Sequence, residues 1–278
     1  MSQRILNNGF RLSIWNRTHS KLHDLQQAGA VVRDSPKALA SECDVICFCL
    51  TDSSAVEKVV FGESGVASGM RKGQVIVDFS SIGAEKTKRF AAMLHNDVGG
   101  IWIDAPVSGG VEGARDGTLI IFAGGDKASI EYVQPIFAVL AEKVTHLGAS
   151  GAGQIAKSCN QMIAGCNIML IAEMIATARK AGIDVDLLTD ALSGGWADSR
   201  PLQIFGPRMA ARITEPKLGA LGTMLKDLDE ATRLAHANGA TVPITSLIAE
   251  QYRVCAQHLE SGNSSDISSL ISLYEGNV

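Results

Sequence analysis

Apolar residues in the first half of the chain fall into short runs rich in β-branched side chains. They occupy residues 11–15 (Arg-Leu-Ser-Ile-Trp), 44–50 (Asp-Val-Ile-Cys-Phe-Cys-Leu), 74–78 and 101–104. Between them, residues 21–28, 37–41 and 85–94 carry helical spacing. Near-continuous apolar strands separated by helices predict a parallel sheet covered on both faces. Two further strands, at 118–123 and 143–147, flank another helix and complete the sheet. The first half is α/β.

After Gly148-Ala-Ser-Gly-Ala-Gly153 the strand pattern stops. Ile155, Cys159, Met162, Ile163, Cys166, Leu170 and Met174 then recur at intervals of three and four, which predicts a helix from 154 to about 181. Gly182 is placed to end it. A helix of roughly 28 residues is expected to be buried on several sides and to link two domains or two subunits. Helical periods follow near 185–192, 202–211, 224–237 and 244–259, with no internal repeat. The expected organisation is an α/β domain over 1–149 and an all-α domain over 150–278, joined by the long helix.

Composition narrows the classes. Hydrophobic residues make up 46% and charged residues 19% of 278, which excludes a disordered chain. A net charge of −4 and 5% aromatics leave neither a basic field nor stacking platforms for nucleic acid. The six cysteines show no CxxC spacing. Cys47 and Cys49 read as small core residues on one strand face, with no zinc site or disulfide framework. The longest apolar stretch, 162–176, is interrupted by Asn167 and Glu173 and is short for a bilayer. The polar start lacks a signal-peptide core. The expectation is a soluble, reducing, cytoplasmic setting without membrane, metal or nucleic acid.

Four motifs carry candidate chemistry. In dinucleotide folds the end of the second strand touches the adenosine ribose. Here it reads Asn16-Arg17-Thr18 rather than Asp or Glu. An arginine with amide and hydroxyl neighbours suits a 2′-phosphate; the plain alternative is a solvated turn. Asp104-Ala-Pro-Val-Ser108-Gly109-Gly110 offers a hydroxyl and open backbone amides for a carboxylate, although glycine pairs are commonly just turns. Lys157, Asn160 and Gln161, at i, i+3 and i+4, share one face of the long helix. A lysine beside two amides near the start of an apolar helix is placed for acid/base work; alone it would read as an exposed residue. Lys226-Asp227 opens another helix and by itself reads as a solvated pair.

In this order, the motifs resemble the β-hydroxyacid dehydrogenase family, which includes 3-hydroxyisobutyrate dehydrogenase and tartronate semialdehyde reductase. The resemblance runs from about Ile5 to the C-terminus. Asp78-Phe-Ser-Ser-Ile82 looks like the family's cofactor-proximal strand end, and Asp104–Gly110 like its substrate motif. Gly151-Ala-Gly-Gln-Ile-Ala-Lys157 looks like the segment bearing the catalytic lysine, and Lys226-Asp227-Leu228 like the motif closing over the nicotinamide. Asn160-Gln161 followed by Gly194-Gly195-Trp-Ala-Asp-Ser199 is most similar to the tartronate semialdehyde (2-hydroxy-3-oxopropionate) reductase branch. Many members of the family carry a catalytic asparagine four residues after the lysine. Gln161 stands there in this chain, and Asn160 one position earlier, so the role is spread over both.

The resemblance implies a Rossmann-type NADP-binding domain, an all-α domain and a homodimer or homotetramer. It implies hydride transfer between NADP (preferred) or NAD and a small β-hydroxy or semialdehyde acid. Lys157 would be the general acid/base, with Asn160 or Gln161 positioning it. Ser108, Gly109 and Gly110 would hold the substrate carboxylate. Leu50, Thr51 and Ser81 would line the cofactor, Asn16, Arg17 and Thr18 its 2′-phosphate, and Lys226 would contact it from the helical domain. Imine reductases share the fold but typically lack the lysine.

The family begins with a strand and a G-x-G-x-x-G loop at a helix N-terminus. Met1 to Phe10 resembles the helix that follows that loop, so about 14 residues of the family pattern are not matched. Their strand would lie between those at 11–15 and 44–50. Two readings follow: an active enzyme, or a catalytically silent member acting as a binding or interaction subunit.

Overall fold

The computed structural model describes residues 1–276. The chain divides into two compact units, Met1–Lys157 and a second from Ser158 onward.

The first unit contains α1 (Ser2–Asn7), β1 (Ser13–Ile14), α2 (His23–Gln27), β2 (Val31–Val32), α3 (Pro36–Glu42), β3 (Val45–Phe48), α4 (Ser53–Phe61), β4 (Val75–Asp78), α5 (Ala84–Val98) and β5 (Ile101–Asp104). It continues with β6 (Val107–Ser108), α6 (Gly110–Asp116), β7 (Leu119–Gly124), α7 (Lys127–Leu140) and β8 (Ala141–Gly148), and then the start of α8 (Ala152–Lys180). Six strands form one sheet in the order β3-β4-β5-β7-β6, with β8 also pairing β7. β3, β4 and β5 are parallel and in register, Phe48 facing Asp78 and Asp78 facing Asp104.

Side-chain alternation sorts these strands onto two cores. Val45, Cys47, Val75, Val77, Ile103 and Ala105 pack with α7 residues Ile130, Val133, Phe137 and Leu140. Ile46, Phe48, Ile76 and Trp102 pack with Ala40, Val56, Val60, Phe90 and Leu94 from α3, α4 and α5. Helices thus cover both faces, as the continuous apolar runs require. Caps fix the helix starts: Ser35 accepts from Ala38 N with Pro36 in the first turn, and Asp52 accepts from Ala55 N.

Three details depart from the expectation. β7 runs antiparallel to β5 and β6 and parallel to β8, so the sheet is parallel only in part. β6 continues in the direction of β5, and the ten residues 109–118 that link β6 to β7 are too few for a parallel crossover. The strand expected at 11–15 shrinks to Ser13–Ile14 and pairs only with β2, in a separate two-stranded sheet. Cys49 lies beyond the end of β3 and is exposed, so it does not share a core face with Cys47.

The second unit comprises the rest of α8, then α9 (Leu188–Leu192), α10 (Arg200–Ala210), α11 (Leu221–Ala237), α12 (Pro243–His258) and α13 (Ser272–Glu275). Its core joins Ile168, Met169, Ala172 and Ile175 of α8 to Leu202, Met209, Leu221, Leu228 and Tyr252. At Gly165 a Cβ would come within 2.9 Å of Leu228 Cδ2, and the Tyr252 hydroxyl donates to the Gly165 carbonyl at 3.2 Å. Gly182, at φ +83°, ends α8 as expected. By length and composition α8 is apolar enough to cross a membrane, which the shorter stretch at 162–176 does not suggest. Half of its most apolar window is buried inside the structure, as in a core helix.

The α8 start lies against the sheet at a distance only glycine allows. A Cβ on Gly153 would stand 2.3 Å from the Phe122 carbonyl oxygen and 2.8 Å from that of Asp104. Gly153→Ala is therefore expected to destabilise the first unit by on the order of 1–3 kcal/mol. Thermal melting unchanged from wild type would contradict this close packing.

Candidate active site

Because β3, β4 and β5 are in register, their carboxyl ends lie at one level. Two carboxylates, Asp78 and Asp104, face each other across that edge with no exposed surface. Burying two charges side by side is costly unless each is satisfied or neutralised, and the two are treated differently.

Asp104 is satisfied by the helix that follows the sheet. Its Oδ1 accepts from Gly151 N–H at 2.8 Å, and its Oδ2 from Gln154 N–H at 3.1 Å. These are orphan donors of the first turn of α8, and a carboxylate there also meets the positive end of the helix dipole. Burial pushes the Asp104 carboxyl up, opposed by these backbone donors. Gly124 closes the arrangement, since a Cβ there would lie 2.7 Å from both Asp104 carboxylate oxygens. The glycine turn before α8 is therefore filled by an internal carboxylate and is not a phosphate cradle.

Asp78 keeps one oxygen without a partner. Its Oδ1 accepts from Ser80 N–H at 2.8 Å, while Oδ2 is buried and unpaired. Burial, with a further push from the charge of Asp104, raises its pKa from 3.8 to about 7, against opposing hydrogen bonds from Ser80. The Ser80 Oγ in turn accepts from Leu50 N–H at 2.8 Å, joining the ends of β3 and β4.

Gln154 ties this loop to α8. Its Nε2 donates to the Ser80 carbonyl at 2.8 Å, and its Oε1 accepts from Ile82 N–H at 3.1 Å. One helical turn later comes Lys157, of which only 9% is exposed. Gln154, Lys157, Ser158 and Gln161 make a buried polar stripe along the start of an otherwise apolar helix. The structure thus brings Leu50, Ser81 and the Lys157 segment to one edge of the sheet. Thr51, exposed, donates to Asp52 just beyond β3.

Other expected residues sit elsewhere. Ser108 ends β6, and Gly109 (φ +128°) and Gly110 (φ +65°) open α6. A Cβ on Gly110 would meet nothing within 4 Å, so its backbone faces open space. Asn16, Arg17 and Thr18 follow β1 in the two-stranded sheet. Asn16 Oδ1 accepts from Thr18 N–H at 2.8 Å, and Arg17 is exposed. In the second unit, Gln161 Nε2 donates to Asp227 Oδ2 at 2.6 Å, and Gln161 Oε1 accepts from Asn160 Nδ2 at 2.9 Å. Lys226 pairs with Asp227 at 3.1 Å. It lies in the second turn of α11, because that helix begins at Leu221 rather than at Lys226.

A crevice at the carboxyl ends of parallel strands is where open α/β sheets hold dinucleotides. Leu50, Thr51 and Ser81 follow those ends. The comparisons bear on the fold and the family. Residues 1–148 match the family profile described as the NAD binding domain of 6-phosphogluconate dehydrogenase. Residues 151–274 match the NAD-binding domain of NADP-dependent 3-hydroxyisobutyrate dehydrogenase. Among curated proteins, 2-hydroxy-3-oxopropionate reductase of Escherichia coli K12 is 39% identical over 252 residues, spanning 91% of this chain and 85% of that one. Among solved structures, Psf3 in complex with NADP+ and 2-OPP superposes with a TM-score of 0.90 at 25% identity, over 98% of this chain and 94% of that one. Mycobacterium tuberculosis 3-hydroxyisobutyrate dehydrogenase with L-serine gives a TM-score of 0.84 at 26% identity, over 98% and 93%.

Fold and comparisons together define an NAD(P)-dependent oxidoreductase with a Rossmann-type unit and a helical unit. The chain belongs to the 3-hydroxyisobutyrate dehydrogenase-like family of hydroxyacid dehydrogenases. The reading as a catalytically silent subunit finds no support in these matches.

The state of Asp78 has a measurable consequence. Its folded pKa of about 7 lies above its ordinary value of 3.8, so the folded chain holds a proton that the unfolded chain has released in that interval. Stability from this group is complete below about pH 4 and is lost as pH rises through about 7. Asp78→Asn is expected to melt higher than wild type at about pH 8, with the advantage gone near pH 4. An equal difference at both pH values would contradict a protonated Asp78.

Proposed function

We propose that this chain is an NADP-preferring dehydrogenase or reductase of a small β-hydroxy or semialdehyde acid, with Lys157 as the general acid/base. The observation that carries the reading is the burial of Lys157 on a helix whose start is fixed to the ends of β4 and β5. A buried lysine within a polar stripe is held in one place, as proton transfer at a reacting oxygen demands. A nicotinamide bound there would supply or accept the hydride. Lys157 gives a proton to the carbonyl oxygen during reduction and takes it from the hydroxyl during oxidation.

Asn160 is the better candidate of the two amides for positioning. Gln161 is engaged with Asp227 and orients Asn160 through its own carbonyl. Ser108, Gly109 and Gly110 are assigned to the substrate carboxylate: the two glycines take positive φ, and the Gly110 backbone is open. Lys226, held by Asp227, is kept as a candidate cationic contact for the cofactor. The E. coli relative, a 2-hydroxy-3-oxopropionate reductase, supports a three-carbon semialdehyde acid as first substrate to test. Exposed Ile163 and Leu170 on α8, with Ile244 and Leu247 on α12, support self-association as a homodimer or homotetramer.

Lys157→Ala is expected to lower kcat by on the order of 10²–10⁴ while NADPH binding persists. Wild-type kcat on the best hydroxy acid would make the lysine structural.

NADP preference rests on Arg17, a cationic fork standing where a carboxylate would repel the 2′-phosphate. Arg17→Asp should weaken NADPH far more than NADH in fluorescence titration. Equal losses would remove Arg17 from the phosphate site.

A further inference from the structure

We infer that Gln154 is a positioning residue for catalysis, setting Lys157 against the loop at Ser80–Ile82 that would line the nicotinamide. The inference rests on the reading of Lys157 as the acid/base.

Gln154 makes contacts that packing alone does not require. Its side chain is 1% exposed and bridges two backbone groups of one loop, donating to Ser80 O and accepting from Ile82 N–H. Its own N–H is held by Asp104 Oδ2. A single residue thus connects the end of β5, the loop after β4 and the first turn of α8. Because Gln154 and Lys157 are three apart on one helix face, fixing the first fixes the height and rotation of the second.

The loop it grips is itself pinned. Ser80 N–H donates to Asp78, and Ser80 Oγ accepts from Leu50 N–H. Ser81, the candidate cofactor contact, sits between the two groups that Gln154 holds. A hydrogen-bonded chain therefore runs from Leu50 through Ser80 and Gln154 to Asp104, and it sets the spacing between cofactor loop and lysine. Asp104 alone would anchor the helix start. The second tie, through a primary amide that donates and accepts at once, fixes the loop as well.

Gln154→Met fills similar space and makes neither bond. Its kcat is expected to fall about 100-fold, the scale of a 1 Å misplacement, with KM for the acid little changed. The primary isotope effect with deuterated NADPH should rise as the chemical step becomes limiting. Gln154→Glu separates positioning from bulk packing. When protonated it donates to Ser80 O and accepts from Ile82 N–H; when ionised it turns a charge on that carbonyl. Its kcat should approach wild type at low pH and drop as the glutamate ionises, a limb the wild type lacks. In the ligand-free protein, hydrogen exchange at Ile82 should accelerate in Gln154→Met while the global melt moves little.

The deciding comparison is the double variant with Lys157→Ala. If Gln154 acts through Lys157, Gln154→Met costs almost nothing further in that background. The same fold loss in both backgrounds, or no loss in the wild-type background, overturns the inference. Full activity in Lys157→Ala alone would instead sink the catalytic reading, and this inference with it; faster Ile82 exchange would still mark Gln154 as a structural clamp.

Discussion

A carboxylate with no exposed surface, at the start of a helix, organises this protein. Asp104 ends β5, the last of the three parallel strands, and its two oxygens take N–H groups from the start of α8. The contact satisfies donors that every helix leaves open and compensates a charge that burial would otherwise penalise. It works only because the backbone comes close, and Gly124 and Gly153 permit that approach. The segment that carries Lys157 is thereby referenced to the sheet itself rather than to a surface loop, a firm base for the acid/base role proposed for it.

The neighbouring Asp78 shows what happens without such compensation. It stands in register beside Asp104, has one unpaired oxygen and is driven toward the neutral form. One strand end therefore presents a carboxylate compensated by a helix start, and the next a carboxyl whose pKa burial pushes up to about 7.

Much of this was legible in the sequence. Runs of Val and Ile bounded by polar residues located β3, β4 and β5, and three-and-four spacing located α8 to within about two residues. The motif order pointed to the family. What escaped was short or non-local. β2 and β6 have two residues each, too few for alternation to register, and the reversal of β7 follows from the short β6–β7 link through α6 rather than from its own side chains. Asp104 was read with the Ser108–Gly110 motif because it adjoins it in sequence. Its partners lie 47 and 50 residues away, and nothing local announces them. Gln154 was passed over for the same reason: between a glycine turn and a lysine it looks like a helix former. The one available signal was that two adjacent predicted strands, at 74–78 and 101–104, both end in aspartate.

We propose that Lys157, held in place by the Asp104 and Gln154 contacts, moves the proton. Chemical rescue tests it most directly. In Lys157→Ala, small primary amines added to the assay should restore turnover in proportion to their concentration, with an efficiency that follows their basicity. Failure of every amine small enough to enter the space left by the side chain, while the cofactor still binds, would contradict the account.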